Sequence, residues 1–212
     1  MDHRDMFLQT TFPTIPVPRF GPLEELASNG HRFLVGSNGV ALEVRRPWLY
    51  MRQIAMKNES GLALPYGRMS EVFELRCGPI PRELLLEFAS QAKAGGEIET
   101  AAWITWREST RSFVFRRLSE RTASAHSVVV DRPELDADEH LVVDIHSHGH
   151  ADAFFSPTDN EDDQGEVKFS VVVGSCHRDR PEAFDVVARL CALGLIVPAN
   201  EAFSLKEVQN AA

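Results

Sequence analysis

The sequence predicts an α+β protein, a small β-rich lobe followed by a larger unit that runs from one helix through several strands to a C-terminal element. Three observations carry this. Short apolar runs bounded by turn signals begin at about residue 31, after a proline-rich start. A helical period of apolar residues appears from Pro81 to about Gly95. Beyond it, apolar and polar residues alternate with period two, as in half-buried strands.

In chain order, Pro13, Pro16, Pro18 and Pro22 each fix φ and remove a donor, so residues 1–30 are expected as an extended proline-rich arm. Residues 31–76 form the small lobe. Phe33–Val35 and Val40–Val44 read as strands joined through Ser37-Asn38-Gly39, which contains an Asn-Gly hairpin signal. Glu71–Leu75 alternates as a further strand. Trp48 and Tyr50 read either as an exposed docking surface or as packing residues.

Residues 77–212 are expected as the larger domain. Pro81 suits a first helical position, Leu84, Leu85, Phe88, Ala89 and Ala92 follow helical spacing, and Gly95-Gly96 suits a stop. Strands are expected at about 98–106, 112–118, 126–131 and 140–147, with a buried strand over Phe169–Val173. The stretch 183–205 reads equally as a helix or as a hairpin turning at Gly194.

Composition narrows the function. With 43% hydrophobic and 25% charged residues, the chain can build a core and is not disordered throughout. No apolar run approaches the ~20 residues that span a bilayer, and the first ten residues lack a secretory pattern. A net charge of −9 argues against nucleic acid and anionic membranes as partners. Cys77, Cys176 and Cys191 contain no CxxC pair, which fits a reducing cytoplasm.

The chemistry concentrates in DIHSHGHADAFFSPTD. His146 and His148 are two apart on an expected strand, so both imidazoles face one way and can serve one metal ion. Asp159 follows after a glycine-containing loop that can fold back. Two His and one carboxylate leave a fourth position open on tetrahedral zinc, the layout of a catalytic site. Ser156 lies close enough in sequence to face the same centre. Asp144 shares the histidines' strand face and reads as a partner for an imidazole N–H, with a rival metal ligand as the alternative. His150 and His177 lack ligand spacing, and the remainder of the acidic run 159–163 reads as a solvated helix start. A hydrolytic centre also needs a general base, and Glu97 and Glu99, on one face of the expected first strand, are the candidates; composition does not choose between them.

The pattern HxH-x7-S-x2-D with an upstream Glu resembles the JAMM (MPN+) metalloproteases over residues 80–175. That resemblance implies a cytidine-deaminase-like mixed β-sheet with flanking helices and one Zn²⁺ per chain. The family's motif Glu is followed by two residues and then a small residue, and Glu99-Thr100-Ala101-Ala102 fits that register with Ala102 at the small position. Glu99 is therefore the implied base, with Glu97 as the alternative and Ser156 as the oxyanion donor. RRPWL (Arg45–Leu49), LPYG (Leu64–Gly67) and DIHSHGHADAFFSPTDNEDDQGEVK are similar to the protein A family of the bacterial PRTRC cassette. Such operons resemble minimal ubiquitin-like conjugation systems, and related ones act in antiphage defence. The implied function is a zinc isopeptidase or tail-processing peptidase. Its partners would be a ubiquitin-like protein's C-terminal tail, its conjugates, and the activating or conjugating enzymes of the operon. Three alternatives stand beside it. An inactive binding or scaffold module would have lost a ligand or the base. Another small metallohydrolase would need a larger barrel, or for a deaminase a PCxxC segment that is absent. A DNA-binding partition protein sits poorly with the net charge.

Overall fold

The computed structural model describes residues 2–123, 128–203 and 205. The chain divides into two compact units, Met1–Gly78 and Pro79–Ala212.

In the first unit the expected extended arm opens instead with a helix, α1 (His3–Thr11). No proline precedes Pro13, so nothing blocks helix formation there, and the Asp2 carboxylate caps it by accepting from the Arg4 N–H at 2.8 Å. The helix ends before Phe12, because a residue preceding proline avoids helical φ/ψ. Extended chain begins only with β1 (Thr14–Pro16). It pairs in parallel with β2 (Gly30–Gly36). Next come β3 (Gly39–Arg45), β4 (Leu49–Lys57) and β5 (Val72–Leu75), giving a sheet of order β1-β2-β3-β4-β5. The β2–β3 turn requires glycine at 39: φ is +139°, and a Cβ there would lie 2.0 Å from the Met56 carbonyl oxygen.

Val17, Leu34, Ala41 and Met69 form an apolar cluster in this unit. Beside it, Arg32, Glu43 and Arg52 stand opposite one another across β2, β3 and β4. The buried Glu43 carboxylate accepts from Arg32, from Arg52 at 3.0 Å and from the Tyr50 hydroxyl at 2.5 Å. Trp48 and Tyr50 are each only 2% exposed, so they are not an exposed docking surface. Tyr50 faces inward because its hydroxyl completes the coordination of a buried carboxylate.

The second unit opens with α2 (Arg82–Gly95), which buries Leu85, Phe88, Ala89 and Ala92 and stops at Gly96 with φ +65°. Its strands are β6 (Ala101–Arg107), β7 (Ser112–Arg117), β8 (Ser119–Ala123), β9 (Val128–Asp131), β10 (Glu139–Ser147), β11 (Val167–Gly174), β12 (Asp185–Ala192) and β13 (Leu195–Pro198). A short helix, α3 (Pro157–Asp162), lies between β10 and β11. Six strands make a mixed sheet of order β13-β12-β11-β10-β6-β7, in which only β10 and β11 run parallel. Strands β8 and β9 form a separate ribbon; residues 126 and 127 of the strand expected at 126–131 lie outside the described residues. Within the stretch left open at 183–205, residues 185–198 form a hairpin, turning at Leu193 and Gly194, both with positive φ. No helix among the described residues is long and apolar enough to cross a membrane.

Two local departures from the sequence expectation shape the site. Strand β6 starts at Ala101, so Glu97 and Glu99 precede it and do not share a strand face. The positive-φ turn at Gly96 sends the chain round before pairing begins. In β10 the pairing register with β6 shifts between Leu141 and Val143. This bulge takes Leu141 off the face of Val143 and Ile145, and it packs instead on Ala101, Trp103 and Leu118.

Glu139 at the start of β10 is buried and accepts from Arg116 at 2.5 and 2.6 Å, from Arg107 at 2.7 Å and from Thr105. Arg116 chiefly, working against the cost of burial and helped by Thr105 and Arg107, holds the carboxyl down at about 2. A depressed carboxyl contributes stability above its unfolded pKa of ~4.3 and loses it as pH falls towards the folded value. Both arginines are partly exposed, so the contribution is discounted to about 2 kcal/mol. Glu139→Gln should therefore lower unfolding stability by about 2 kcal/mol in urea titrations at pH 7. The gap to the parent should close between pH ~4.3 and ~2. A pH-independent gap would contradict the ion-pair origin.

Candidate metal centre

Asp144 pairs across β10–β6 with Trp103, and His146 with Ala101. These residues share the sheet face that floors a cleft of about 390 Å³. His148 lies just past the strand end, where its N–H still donates to the Val173 carbonyl at 2.9 Å. That extra ladder bond preserves the period-two alternation and keeps both imidazoles on the cleft side. The next residue must be glycine, because φ is +55° and a Cβ would lie 2.6 Å from the Glu97 carbonyl oxygen.

The third member arrives on α3. Ser156 is its N-cap, with Pro157 at the first helical position. The Ser156 Oγ accepts from the Asp159 N–H at 3.2 Å, and Asp159 Oδ2 accepts from the Ser156 N–H at 2.6 Å. This capping box engages Oδ2 and leaves Oδ1 facing the histidines. His146 Nε2 lies 3.3 Å from His148 Nε2 and 3.5 Å from Asp159 Oδ1. Ligand atoms of all three residues fall within 4.8 Å of one another. Tetrahedral zinc with bonds of ~2.0–2.2 Å needs ligand atoms roughly 3.3–3.6 Å apart, so these two separations suit that ion.

Protonation fits as well. His148 Nδ1 lies 3.1 Å from the Asp152 carbonyl oxygen, which assigns the proton to Nδ1 and leaves the Nε2 lone pair free. Burial pulls the His146 imidazole below its ordinary range, outweighing the opposite pull of Asp159, and a neutral imidazole is the ligating form. Phe154 stands edge-on to the His148 ring at 4.5 Å and walls the cleft.

Glu99 reaches the same cleft from the connector before β6. Its position follows from clamps on its neighbour Thr100, whose N–H donates to Ser147 Oγ at 3.1 Å and whose carbonyl accepts the Ser147 N–H at 2.9 Å. Gln91 of α2 adds a bond to the Thr100 hydroxyl at 2.6 Å. The Glu99 carboxyl is raised to about 7, first by burial and then by the negative charge of Asp159. Glu97 does not join this group. It sits in the turn after α2, largely exposed, with its carboxylate 3.5 Å from His150 Nδ1.

Asp144 also departs from expectation. Its carboxylate accepts from Lys168 Nζ at 2.8 Å and bonds neither histidine among the described contacts. His150 and His177 pack on each other edge to face, outside the cleft lining. Sequence reasoning missed Lys168, Asp163 and Arg189, which lie beside the centre with their charges buried. Only the alternation of β11, which places Lys168 and Ser170 on the cleft face, could have signalled the first of them.

Two family models match the chain. Residues 2–76 match a domain of unknown function, DUF2016, and residues 81–189 match prokaryotic homologs of the JAB domain. A comparison with curated proteins finds no match. The second match spans just over half of the chain and contains Glu99, His146, His148, Ser156 and Asp159, and the protein therefore belongs to the prokaryotic homologs of the JAB domain.

Proposed function

We propose that this protein is a zinc-dependent peptidase or isopeptidase that trims or releases a ubiquitin-like protein in a bacterial conjugation system. The observation that supports this reading most is the convergence of His146 Nε2, His148 Nε2 and Asp159 Oδ1, with a protonatable Glu99 carboxyl in the same cleft. Those three residues would hold one Zn²⁺ per chain. When bound, zinc supplies Lewis acidity, which polarises an amide carbonyl and acidifies water.

The chain's own residues supply the proton transfers. Glu99 accepts a proton from the attacking water as the O–C bond forms, then returns it to the amine as the C–N bond breaks, giving a carboxylate and a free amine. Burial and the negative charge of Asp159 raise the Glu99 carboxyl to about 7, which makes it a better proton acceptor than an ordinary carboxylate. Ser156 Oγ already accepts the Asp159 N–H, which leaves its O–H free to donate to the developing oxyanion. The partner's tail would enter as an extended strand, a mode suited to peptide cleavage. PRTRC-type partners, a cytoplasmic location and a role in antiphage defence belong to the same proposal.

The test is incubation with a bacterial ubiquitin-like protein extended at its C-terminus, followed by intact-mass analysis with and without a zinc chelator. Loss of the extension only without chelator supports the reading. Cleavage that survives complete metal removal would contradict it.

A further inference from the structure

The ligands of the candidate centre come from separate elements, β10 with the segment after it and α3. Helix α3 has six residues and buries none of them. It is far shorter than the ~12–15 residues at which an isolated helix becomes marginally stable, so its placement depends on polar ties. The capping box secures its N-terminal end. At the other end stands Asp163, whose N–H donates to the Asp159 carbonyl at 3.0 Å.

Asp163 is only 3% exposed, and two buried cations hold it. Arg189 of β12 donates to its Oδ2 at 2.9 and 2.6 Å, and also to Asn160 Oδ1 at 2.6 Å. Lys168 of β11, 2% exposed, places Nζ 3.2 Å from Asp163 Oδ1. The same Nζ lies 2.8 Å from Asp144 Oδ2, on β10 two residues before His146. Lys168 therefore ties the histidine strand to the aspartate helix. Asp144, Asp163, Lys168 and Arg189 sum to no net charge, the condition under which buried ions are tolerable. Burial alone would pull Lys168 down and push Asp163 up, yet each moves the opposite way, towards its charged form, because of its partners.

We propose that Lys168, backed by Asp163 and Arg189, is a positioning residue that sets where Asp159 meets the two histidines, so that zinc affinity depends on it as well as folding. The inference rests on reading His146, His148 and Asp159 as a zinc site. It also opposes simple electrostatics: deleting a cation beside a divalent ion should tighten binding, whereas loss of positioning should weaken it.

The experiment measures zinc dissociation constants by competition with a chromophoric chelator, alongside thermal unfolding of the metal-free protein. It compares the parent, Lys168→Met, and the charge-balanced pair Asp163→Asn with Lys168→Met, which decides by the same criterion if the single variant does not fold. The expected result is zinc binding weaker by ~10–100-fold in the folded variants, the range for residues that orient metal ligands. Unchanged or tighter zinc in a folded variant overturns the positioning role and leaves the zinc site standing. A parent that binds no zinc overturns the site reading, and the proposal with it.

Discussion

Glu99→Gln is expected to lower turnover of a tail-extended ubiquitin-like substrate by at least ~10²-fold, the low end for loss of a general base. The amide keeps the shape of the carboxyl and cannot accept the proton. Zinc content should stay at the parent level, because Glu99 lies outside the cluster of His146, His148 and Asp159. Glu97→Gln is the matched control. Its carboxylate is exposed and faces His150, so turnover should be close to that of the parent. Steady-state rates and metal analysis on the same preparations check both statements. A dead Glu97→Gln with an active Glu99→Gln would exchange the two roles. Parent-like rates in both variants would remove the carboxylate mechanism.

His148→Ala should abolish stoichiometric zinc. A centre with three protein ligands that loses one is left with an imidazole and a carboxylate, and the Asp152 carbonyl loses the ring it orients. His150→Ala is the control and should retain one zinc per chain, since its ring packs on His177 outside the cleft. Elemental analysis after dialysis distinguishes them. Zinc retained at parent affinity by His148→Ala would refute the ligand assignment.

The features of this site that were legible in the sequence depend on short-range regularities. The HxH pair is visible because strand alternation is strict, and the Val173 carbonyl extends the ladder to His148. Asp159 is expected from a glycine-containing loop that can fold back, whereas the capping box with Ser156 that fixes it on α3 emerges only in the structure. Glu99 was reached by a register argument from the family resemblance. The strand-face argument linking it to Glu97 fails, because the Gly96 turn separates the two residues before pairing starts. What lay hidden depends on distant partners. Asp144 and Lys168 are 24 positions apart, and Arg189 lies 26 from Asp163, so no local spacing announces either pair. The same blindness made the acidic run look solvated, although its last member is buried by two cations. At the N-terminus, the prolines from Pro13 onward drew the reading towards extended chain, while the residues before them were free to form α1.

The central claim is that one zinc ion sits among His146, His148 and Asp159 with Glu99 beside it as a base. Anomalous diffraction at the zinc edge from crystals of the zinc-loaded protein tests this most directly. The predicted result is one peak within ~2.0–2.2 Å of both Nε2 atoms and of Asp159 Oδ1, with the Glu99 carboxylate in the cleft and not bonded to the metal. A peak at any other cluster, or a zinc ion ligated by Glu99 in place of Asp159, would contradict it.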